Sequence, residues 1–600
     1  MKQKNFRAAS LIPWLWIGFT AITAMAMAAF PLGAEPGAGL LRHAAYSLRY
    51  GGTGPVRALS IGVLAAVSGW VWKRALQKAG NIRISAVLLA VFFAWNTMIW
   101  ISPRTPKALD GLFLLPGSNF GENLLFYVQL TGNYYGLILS LCRWLNERKA
   151  AKRTMLQGPN ALVLYGAVIV LCWLPILILR GPGALYTDTA IQILMYQGKY
   201  YFHASMPVLL TILYGGLFQI GHALAGDNGG LFVCMLFQAF LLLASMVMAC
   251  RETGRLRGGL AGLLLALFFG LMPVYPEMAA GLIKDSIHGA IYLFFLIFFA
   301  RTVRGEEKSL WPLLLLGALA GATRKGGIYL AAGSLAFLAL ARKDIRQKLL
   351  LGAGVLCVGS LVMNQLVYPA FGVGKPWERE NYSLFYPITA YYCQEHREEL
   401  TQEEVATISD VLDYDTTCNG FSTIMTDDVK NTFHAETPEQ VRKFLRLNGR
   451  FFLKHPVTCL EAIVYSKNLY YTPFSLGGQT MYAPLVQLND ITETEETHFS
   501  YWLPEARRLA GEETLQKVQE FLPVRILCSP GLFCWLGAIL FLAAAEAPGN
   551  RQKWILLPIE LLILGLLLSH INGAVRYAFP VMLCVPFLLA SFSTEAQEHP

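Results

Sequence analysis

Residues 160–180 read NALVLYGAVIVLCWLPILILR, and this stretch decides the class of fold. It carries no charged residue before Arg180. At the helical rise of 1.5 Å per residue it is about 30 Å long, which matches the hydrocarbon core of a bilayer. An apolar segment satisfies its backbone hydrogen bonds in that environment only as a helix. The stretch therefore predicts a transmembrane helix.

Stretches of similar character recur along the whole chain. The 600 residues are 55% hydrophobic and only 15% charged, with a mean hydropathy of +0.44, so the polar surface is too small to keep a globule of this size in water. The composition predicts an all-α polytopic membrane protein with about fourteen spans. The apolar blocks lie at 11–30, 58–76, 84–102, 122–142, 160–180, 230–250, 258–276, 279–300, 310–323, 326–341, 349–367, 526–545, 554–571 and 577–593.

Lysine and arginine collect in alternate loops, and such positively charged loops of membrane proteins lie in the cytoplasm. With fourteen spans, every basic cluster falls on the same side as the N-terminus, so we expect a multi-pass protein with both termini cytoplasmic. The clusters lie within residues 2–7, 73–83, 143–153, 251–257, 301–308, 342–348 and 551–553. The alternation requires that the apolar stretch 206–224 does not cross; we predict a helix in or dipping into the outer leaflet.

Loop polarity and length divide the chain into four predicted regions. They are an N-terminal transmembrane region with about four spans (1–157), a core transmembrane module (158–367), a mainly helical extracytoplasmic domain (368–524) and C-terminal transmembrane helices (525–600). The extracytoplasmic domain contains 13 Lys and Arg against 23 Asp and Glu, a formal charge of −10, and the remainder carries +20. The overall charge of +10 thus reflects membrane topology and does not indicate a nucleic-acid partner.

The extracytoplasmic domain carries helix and cysteine signals of its own. Segments beginning TQEEVATISDVL at Thr401 and TPEQVRKFLRLNG at Thr437 open with patterns that cap helix N-termini. Cys393 and Cys418 also lie here, and a disulfide between them can form if the domain faces an oxidising compartment. No Cys-x-x-Cys or Cys/His spacing typical of a metal site is present.

Ionisable residues are costly in hydrocarbon, and those beside spans usually face a cavity or a partner. Such residues from four separate regions fall at one predicted level, the outer ends of the spans: Asp188, Glu277, Lys284, Asp285, Arg324, Lys325 and Arg576. A carboxylate there can accept a proton from a nucleophile, and nearby Lys and Arg can hold a phosphate. This pattern indicates transfer of a group from a lipid-linked phosphate. A structural ion-pair network and snorkelling of Lys and Arg to the interface are the alternatives.

The loop after the first quoted span reads GPGALYTDTAIQILMYQGKYYFHASMP at 181–207 and contains, in order, Gly183, Asp188, Gln192, Gly198, His203 and Pro207. A core span followed by an outer loop with an aspartate, a glutamine, an aromatic and histidine patch and an apolar helix resembles the GT-C superfamily of membrane glycosyltransferases, in a poorly characterised bacterial branch. The resemblance covers roughly residues 160–370 and 525–593.

The resemblance implies a GT-C-like bundle in a bacterial cell membrane, with an outer catalytic loop at 181–207. It implies transfer of a hexosyl or pentosyl group from a polyprenyl-phosphate-linked sugar donor to an envelope glycan, lipid or protein, or to a secreted acceptor. Asp188 would be the catalytic base, and Lys284, Arg324 and Arg576 would contact the donor phosphate. Further candidates for substrate contacts are Gln192, His203, Glu277 and Asp285; a structural role is the alternative for His203. The loop lacks an Asp-x-Asp or Glu-x-Asp pair, so it gives no support for a divalent metal, and no cofactor is predicted.

Two further classes of function stay open at this point. A transporter or flippase of a lipid-linked envelope precursor would often show repeated halves and broken helices near the midplane, and no convincing repeat is present. A non-catalytic envelope assembly protein would use residues 368–524 as its binding surface. P-loop and Rossmann signatures are lacking, which argues against an ATP-driven pump.

Overall fold

The computed structural model describes residues 12–22, 55–76, 83–101, 120–148, 159–307, 309–473, 500–506, 517–518, 521–546 and 552–592. Within these ranges the secondary structure is almost entirely helical, and strands β1 (Ala184–Leu185) and β2 (Gly281–Leu282) form one small sheet. The chain is thus nearly all-α, which confirms that part of the predicted fold class.

The α-helices of the described ranges are α1 Ile12–Ile22, α2 Pro55–Leu76, α3 Ile84–Ile101, α4 Phe120–Asn146, α5 Pro159–Arg180, α6 Thr187–Tyr196, α7 Val208–Arg257, α8 Gly259–Leu271, α9 Val274–Ala280, α10 Lys284–Arg304, α11 Trp311–Thr323, α12 Gly327–Ala341, α13 Arg346–Val362, α14 Tyr368–Ala370, α15 Phe385–Glu395, α16 Gln402–Ser409, α17 Tyr414–Asn419, α18 Asp427–Lys430, α19 Pro438–Lys454, α20 Pro456–Lys467, α21 Pro504–Ala506, α22 Leu522–Leu527, α23 Pro530–Glu546, α24 Gln552–Gly565 and α25 Val575–Ser591. Shorter 3₁₀ or π segments lie at Lys343–Ile345, Met363–Val367, Glu378–Tyr382, Arg397–Glu399, Asn468–Tyr471 and Leu566–Leu568.

Each apolar block of the sequence contains a helix. Within the described ranges, four helices are long and apolar enough to cross a membrane, and a bent pair with a 63° break raises the number to as many as five. The four are Asn160–Arg180, Val208–Arg257, Lys284–Arg304 and Lys343–Ala370; the bent pair is α8 with α9. These helices are compatible with a membrane protein. The count of fourteen spans stays a prediction, and the two termini fall in ranges that the structure does not describe.

Packing divides the chain into two compact units. The first comprises Met1–Arg148 and Ala538–Pro548, and the second comprises Lys149–Gly537 and Gly549–Pro600. In the first unit the Ser68 hydroxyl donates to Asn133 Oδ1 at 2.6 Å, and Gln129 Nε2 donates to Thr20 Oγ1 at 3.2 Å. Polar contacts of this kind hold helices together where the surroundings are apolar.

The second unit is built around α10, which packs against α7, α11, α24 and α25. In the most apolar 18-residue stretch of α10, 83% of the residues are buried. The helix carries hydrophobic side chains on all sides, as is typical of a helix surrounded by other helices. The charged residues of α10 are confined to its ends, at Lys284 and Asp285 and at Arg301 and Arg304. The buried central helix of this unit therefore has charged residues at both ends and none between them.

The stretch 206–224 forms the first arm of α7. The helix breaks at Ala225 and at Gly226, which has φ +65°. Beyond the break the second arm folds back, since the Tyr214 hydroxyl donates to Gln238 Oε1 at 2.5 Å and Gly221 lies against Gly229. Glycine at 221 and 229 permits this close approach of two backbones. The arms thus pack as a helical hairpin, and the prediction that the first arm does not cross the membrane stays a prediction.

Residues 368–524, the predicted extracytoplasmic domain, are called the acidic segment below. Its described part contains helices α14 to α21. Both predicted caps are confirmed: Thr401 forms a capping box with Glu404, and Thr437 forms one with Gln440. Cys393 and Cys418 are free thiols, buried and in contact with each other. Residues 474–499 and 507–516 of the predicted domain lie outside the ranges given above.

Candidate functional site

A short parallel sheet aligns the starts of two helices. Ala184 pairs with Gly281 and Leu185 pairs with Leu282. The chain leaves β1 and enters α6 at Thr187, and it leaves β2 and enters α10 at Lys284. Because the strands are parallel and in this register, the two helices begin at the same end of the sheet. Residues far apart in sequence are thereby placed side by side.

Gln238 of α7 fixes the approach to α10. Its side-chain amide donates to the backbone carbonyls of Met278 at 2.9 Å, Ala279 at 3.1 Å and Gly281 at 2.6 Å. Its oxygen accepts from the backbone N–H of Ile283 at 3.3 Å. Gln238 is fully buried, and it satisfies backbone groups at the end of α9, in β2 and at the residue that follows β2.

The centre of the site is the Asp188 carboxylate, in the first turn of α6. Its Oδ2 lies 2.8 Å from Lys284 Nζ and 3.3 Å from Arg576 Nη1. Burial raises the pKa of this carboxyl, but the charges of Lys284 and Arg576 outweigh that effect and hold the pKa well below its usual range. The side chains of the three residues are 18–19% exposed, so solvent still reaches them.

Asp285 and Arg324 form a second, looser pair next to the first. Arg324 Nη1 lies 3.5 Å from Asp285 Oδ1 and donates to the backbone carbonyl of Tyr577 at 3.3 Å. Asp285 is fully buried, yet neither of its carboxylate oxygens accepts a hydrogen bond within the described ranges. Such a buried acceptor is costly unless a further donor reaches it.

Tyr577 joins these pairs to the acidic segment. Arg576 Nη2 donates to the Tyr577 hydroxyl at 2.9 Å, and the same hydroxyl lies 3.0 Å from His570 Nε2. His570 Nε2 is in turn 3.8 Å from Asp427 Oδ1. The His570 imidazole therefore lies between the Tyr577 hydroxyl and the Asp427 carboxylate.

The cluster carries more cations than carboxylates. Burial also lowers the pKa of Lys325; Glu380 opposes this, while Lys284 is close enough to add to it. The four cations are Lys284, Arg324, Lys325 and Arg576, and the three adjacent carboxylates are Asp188, Asp285 and Glu380, the last of which acts on Lys325. The N-termini of α6 and α10 add partial positive charge at the same place. The arrangement suits a phosphate group.

His203 lies beside this cluster in an aromatic stack. Its ring is 4.5 Å from that of Trp377 and nearly parallel to it, and its Nδ1 accepts from the backbone N–H of Ser205. Burial lowers its pKa, with Lys325 and Arg379 adding to the shift. The loop that contains His203 continues to Met206, whose Sδ is 3.8 Å from Lys284 Nζ. His203 is thus packed against the edge of the cluster.

Two predicted residues make contacts elsewhere. Glu277 pairs with Arg180, its carboxylate lying 3.0 Å from Arg180 Nε in a buried setting. Gln192 donates to Thr211 Oγ1 at 3.3 Å and so links α6 to the start of α7. Neither contact involves Asp188. Within the described ranges, no group of three His, Cys, Asp or Glu side chains placed to hold a metal includes Asp188.

Sequence reasoning missed Gln238, Tyr577 and His570. Gln238 had a signal, since it is the one amide in the apolar run LFVCMLFQAFLLL at 231–243, where a polar side chain tends to bridge helices. Tyr577 and His570 had none, because an aromatic or a histidine near a span end is common. Their position became evident only from the folded chain.

A family model described as "Family of unknown function (DUF6020)" matches residues 163–600, which is more than half of the chain. No curated protein and no solved structure matches it. The match covers the short sheet, the Asp188 cluster and the acidic segment. The chain therefore belongs to DUF6020, a family of unknown function.

Proposed function

We propose that the chain is a GT-C-type glycosyltransferase that moves a sugar from a polyprenyl-phosphate-linked donor to a cell-envelope or secreted acceptor. The observation that carries the proposal is the contact of Asp188 Oδ2 with both Lys284 Nζ at 2.8 Å and Arg576 Nη1 at 3.3 Å. A base and two phosphate-binding cations from three regions of the chain thus share one place that solvent reaches.

The proposal includes a GT-C-like bundle of about fourteen spans in a bacterial membrane, with both termini cytoplasmic. The alternation of basic loops supports this sidedness. In that topology the Asp188 cluster and the acidic segment after residue 368 face outward. A lipid-linked donor would then reach the cluster from the outer leaflet.

The donor phosphate would take over the cations that Asp188 holds. Four cations face three carboxylates, and the surplus favours an anionic ligand. Arg576 and Arg324 have the planar donor groups that bind phosphate oxygens in pairs, and Lys284 adds a point charge. When the phosphate shares these charges, they stabilise the Asp188 carboxylate less, and its pKa rises towards a useful value for a base.

The transfer step then follows from these roles. The oxygen of an acceptor hydroxyl attacks the anomeric carbon of the donor sugar, and its proton passes to Asp188. The bond between that carbon and the phosphate oxygen breaks, and the electron pair stays on the polyprenyl phosphate. Lys284 and Arg576 stabilise the charge that develops on this leaving group. We assign His203 a positioning role, because its stack holds the loop to Met206 beside Lys284.

The test is complementation of a deletion strain with the wild type, Asp188→Asn or the control Asp415→Asn. Asp415 is also paired with an arginine, Arg397, but it is 81% exposed in the acidic segment. We expect Asp188→Asn to lower transfer about 10²- to 10⁴-fold, since a general base contributes that much. The control should restore the envelope glycan, as measured by mass spectrometry of purified glycans.

The sidedness of the accumulated donor separates transfer from transport. If transfer fails in the Asp188→Asn strain, the lipid-linked sugar accumulates on the outer face, where a membrane-impermeant oxidant reaches it. Accumulation on the inner face would instead favour a flippase. Normal glycans from an Asp188→Asn protein that is present at wild-type level would exclude a catalytic role for Asp188.

A further inference from the structure

The acidic segment holds a second cluster of polar side chains, away from any contact described for Asp188. His396 follows α15, Glu399 ends the short 3₁₀ turn Arg397–Glu399, and His455 follows α19. One ligand atom from each of these three side chains lies within 4.8 Å of the others. Within the described ranges this is the only group of three such residues with that geometry.

We propose that His396, Glu399 and His455 bind a divalent transition-metal ion, with Zn²⁺ as the best-fitting candidate. His396 Nδ1 lies 2.9 Å from Glu399 Oε1, and His455 Nε2 lies 3.1 Å from Glu399 Oε2. Around a tetrahedral Zn²⁺ with bonds of about 2.0–2.2 Å, neighbouring ligand atoms are roughly 3.3 Å apart. The two nitrogens contact different oxygens of the carboxylate, and the three ligand atoms lie within 4.8 Å of one another, so the side chains close in on the ion when it binds.

The remaining nitrogen of His396 has a partner that suits metal binding. Its Nε2 lies 3.1 Å from Thr458 Oγ1. In the neutral tautomer that carries its proton on Nε2, His396 donates a hydrogen bond to Thr458 Oγ1, and the lone pair of its Nδ1 points at the Glu399 carboxylate. Two groups with lone pairs that face each other repel unless a cation lies between them. A second-shell partner that fixes the tautomer in this way is typical of histidine ligands.

The two imidazoles are held in place by the helices beneath them. Tyr392 and Phe451 stack at 3.7 Å, each four residues before one of the histidines, and the rings of His396 and His455 stack at 3.8 Å. Residues four apart lie on one face of a helix, so the aromatic pair sets the spacing of the histidine pair. The two imidazoles are thus held side by side, which limits the entropy lost on binding, and a turn of one ring lets both nitrogens point at the ion.

Lys454 is the group that competes with the ion. Its Nζ lies 3.2 Å from Glu399 Oε2, but its side chain is 46% exposed and can turn into solvent. With three protein ligands, a fourth position would be left for water. Metal binding at this site does not depend on the proposed transfer reaction.

The test is a calorimetric titration of ZnCl₂ into the full-length protein, purified in detergent and first stripped with EDTA. We expect one high-affinity ion in the wild type. His455→Asn and Glu399→Gln should each weaken binding by more than the roughly 10- to 100-fold that loss of an outer-shell partner costs. Zn²⁺ should also raise the unfolding temperature of the wild type and not that of either variant.

The matched control is His434→Asn. Both ring nitrogens of His434 lie against backbone carbonyls of the same segment, those of Thr432 and Ser409, at 2.8 and 2.9 Å. This variant should bind Zn²⁺ as the wild type does. Glu399→Gln changes a half-exposed side chain, so it reports on binding even if His455→Asn impairs folding. Equal affinity in the wild type and Glu399→Gln, or no binding by the wild type, would overturn the proposal.

Discussion

Helix α10 carries a charge cluster at each end, and the two clusters differ in how completely they are satisfied. At its C-terminal end, Glu252 of α7 is fully buried, and its two oxygens accept from Arg255, Arg301 and Arg304 at 2.6–2.8 Å. At its N-terminal end, a single oxygen of Asp188, Oδ2, contacts both Lys284 and Arg576. Both clusters tie α10 to neighbouring helices. The central carboxylate of the C-terminal cluster, Glu252, is shut off from solvent, whereas Asp188 is 19% exposed.

The difference separates a structural ion-pair network from a binding site. Every oxygen of Glu252 has a charged donor, so a ligand would have to displace an existing bond. Beside Asp188, by contrast, neither oxygen of Asp285 nor Nε of Arg576 has a hydrogen-bond partner in the described part of the chain. Polar groups without a hydrogen-bond partner, next to an excess of cations, indicate a site where a ligand can bind without displacing an existing bond. Charge density alone does not distinguish the two ends.

The largest effect should come from Glu252→Gln. The change leaves three arginines with Glu306 as their remaining carboxylate, which contacts Arg255 and Arg304, and we expect a loss of about 3–5 kcal/mol in the free energy of unfolding, as for a broken buried ion pair. Denaturant unfolding of the purified protein in detergent measures it. Asp188→Asn should cost clearly less, because the Asp188 carboxylate is 19% exposed and contacts two cations, whereas Glu252 is fully buried among three. Similar losses in the two variants would remove the distinction between the clusters.

Arg576→Gln should weaken binding of a polyprenyl phosphate by about 10- to 100-fold, since a hydrogen bond to a charged group contributes about 1.5–3 kcal/mol. The measurement is titration of short-chain polyprenyl phosphate against the purified protein. The matched variant is Arg255→Gln, which removes a guanidinium from the Glu252 cluster; Arg255 is 43% exposed there. It should leave the affinity unchanged. An equal loss in both variants would show that net charge, and not the Asp188 cluster, attracts the phosphate.

The smallest effect concerns pH. The pKa of Asp188 in the folded protein lies below its unfolded value of about 3.9, so its ion pair contributes stability that is complete above that value and is lost as pH falls through the folded pKa. The difference in unfolding temperature between wild type and Asp188→Asn should therefore stay constant from about pH 7 to about pH 5. It should shrink only below about pH 4. A difference that stays unchanged down to about pH 2 would mean that the ion pair does not lower the pKa of Asp188.

Part of the site could be predicted because costly residues are informative by themselves. Asp188, Lys284, Arg324 and Arg576 each stand out at the end of an apolar block, and the structure brings Asp188 together with Lys284 and Arg576. Glu277 stands out equally, yet it pairs with Arg180, because sequence gives the depth of a residue and not its direction around the bundle. The His396, Glu399 and His455 group went unnoticed, since its ligands come from two helices whose ends meet only in the folded chain.

The sequence by itself determined that the chain is almost entirely helical, where its apolar helices lie, and which ends of them carry charge. These properties depend on composition over short windows and on local hydrogen bonding, both of which are written along the chain. Only the tertiary structure decided which charges meet. The register of β1 with β2 and the bonds of Gln238 set the starts of α6 and α10 side by side. An ion pair depends on distances of a few ångströms between distant residues, and no local pattern encodes them.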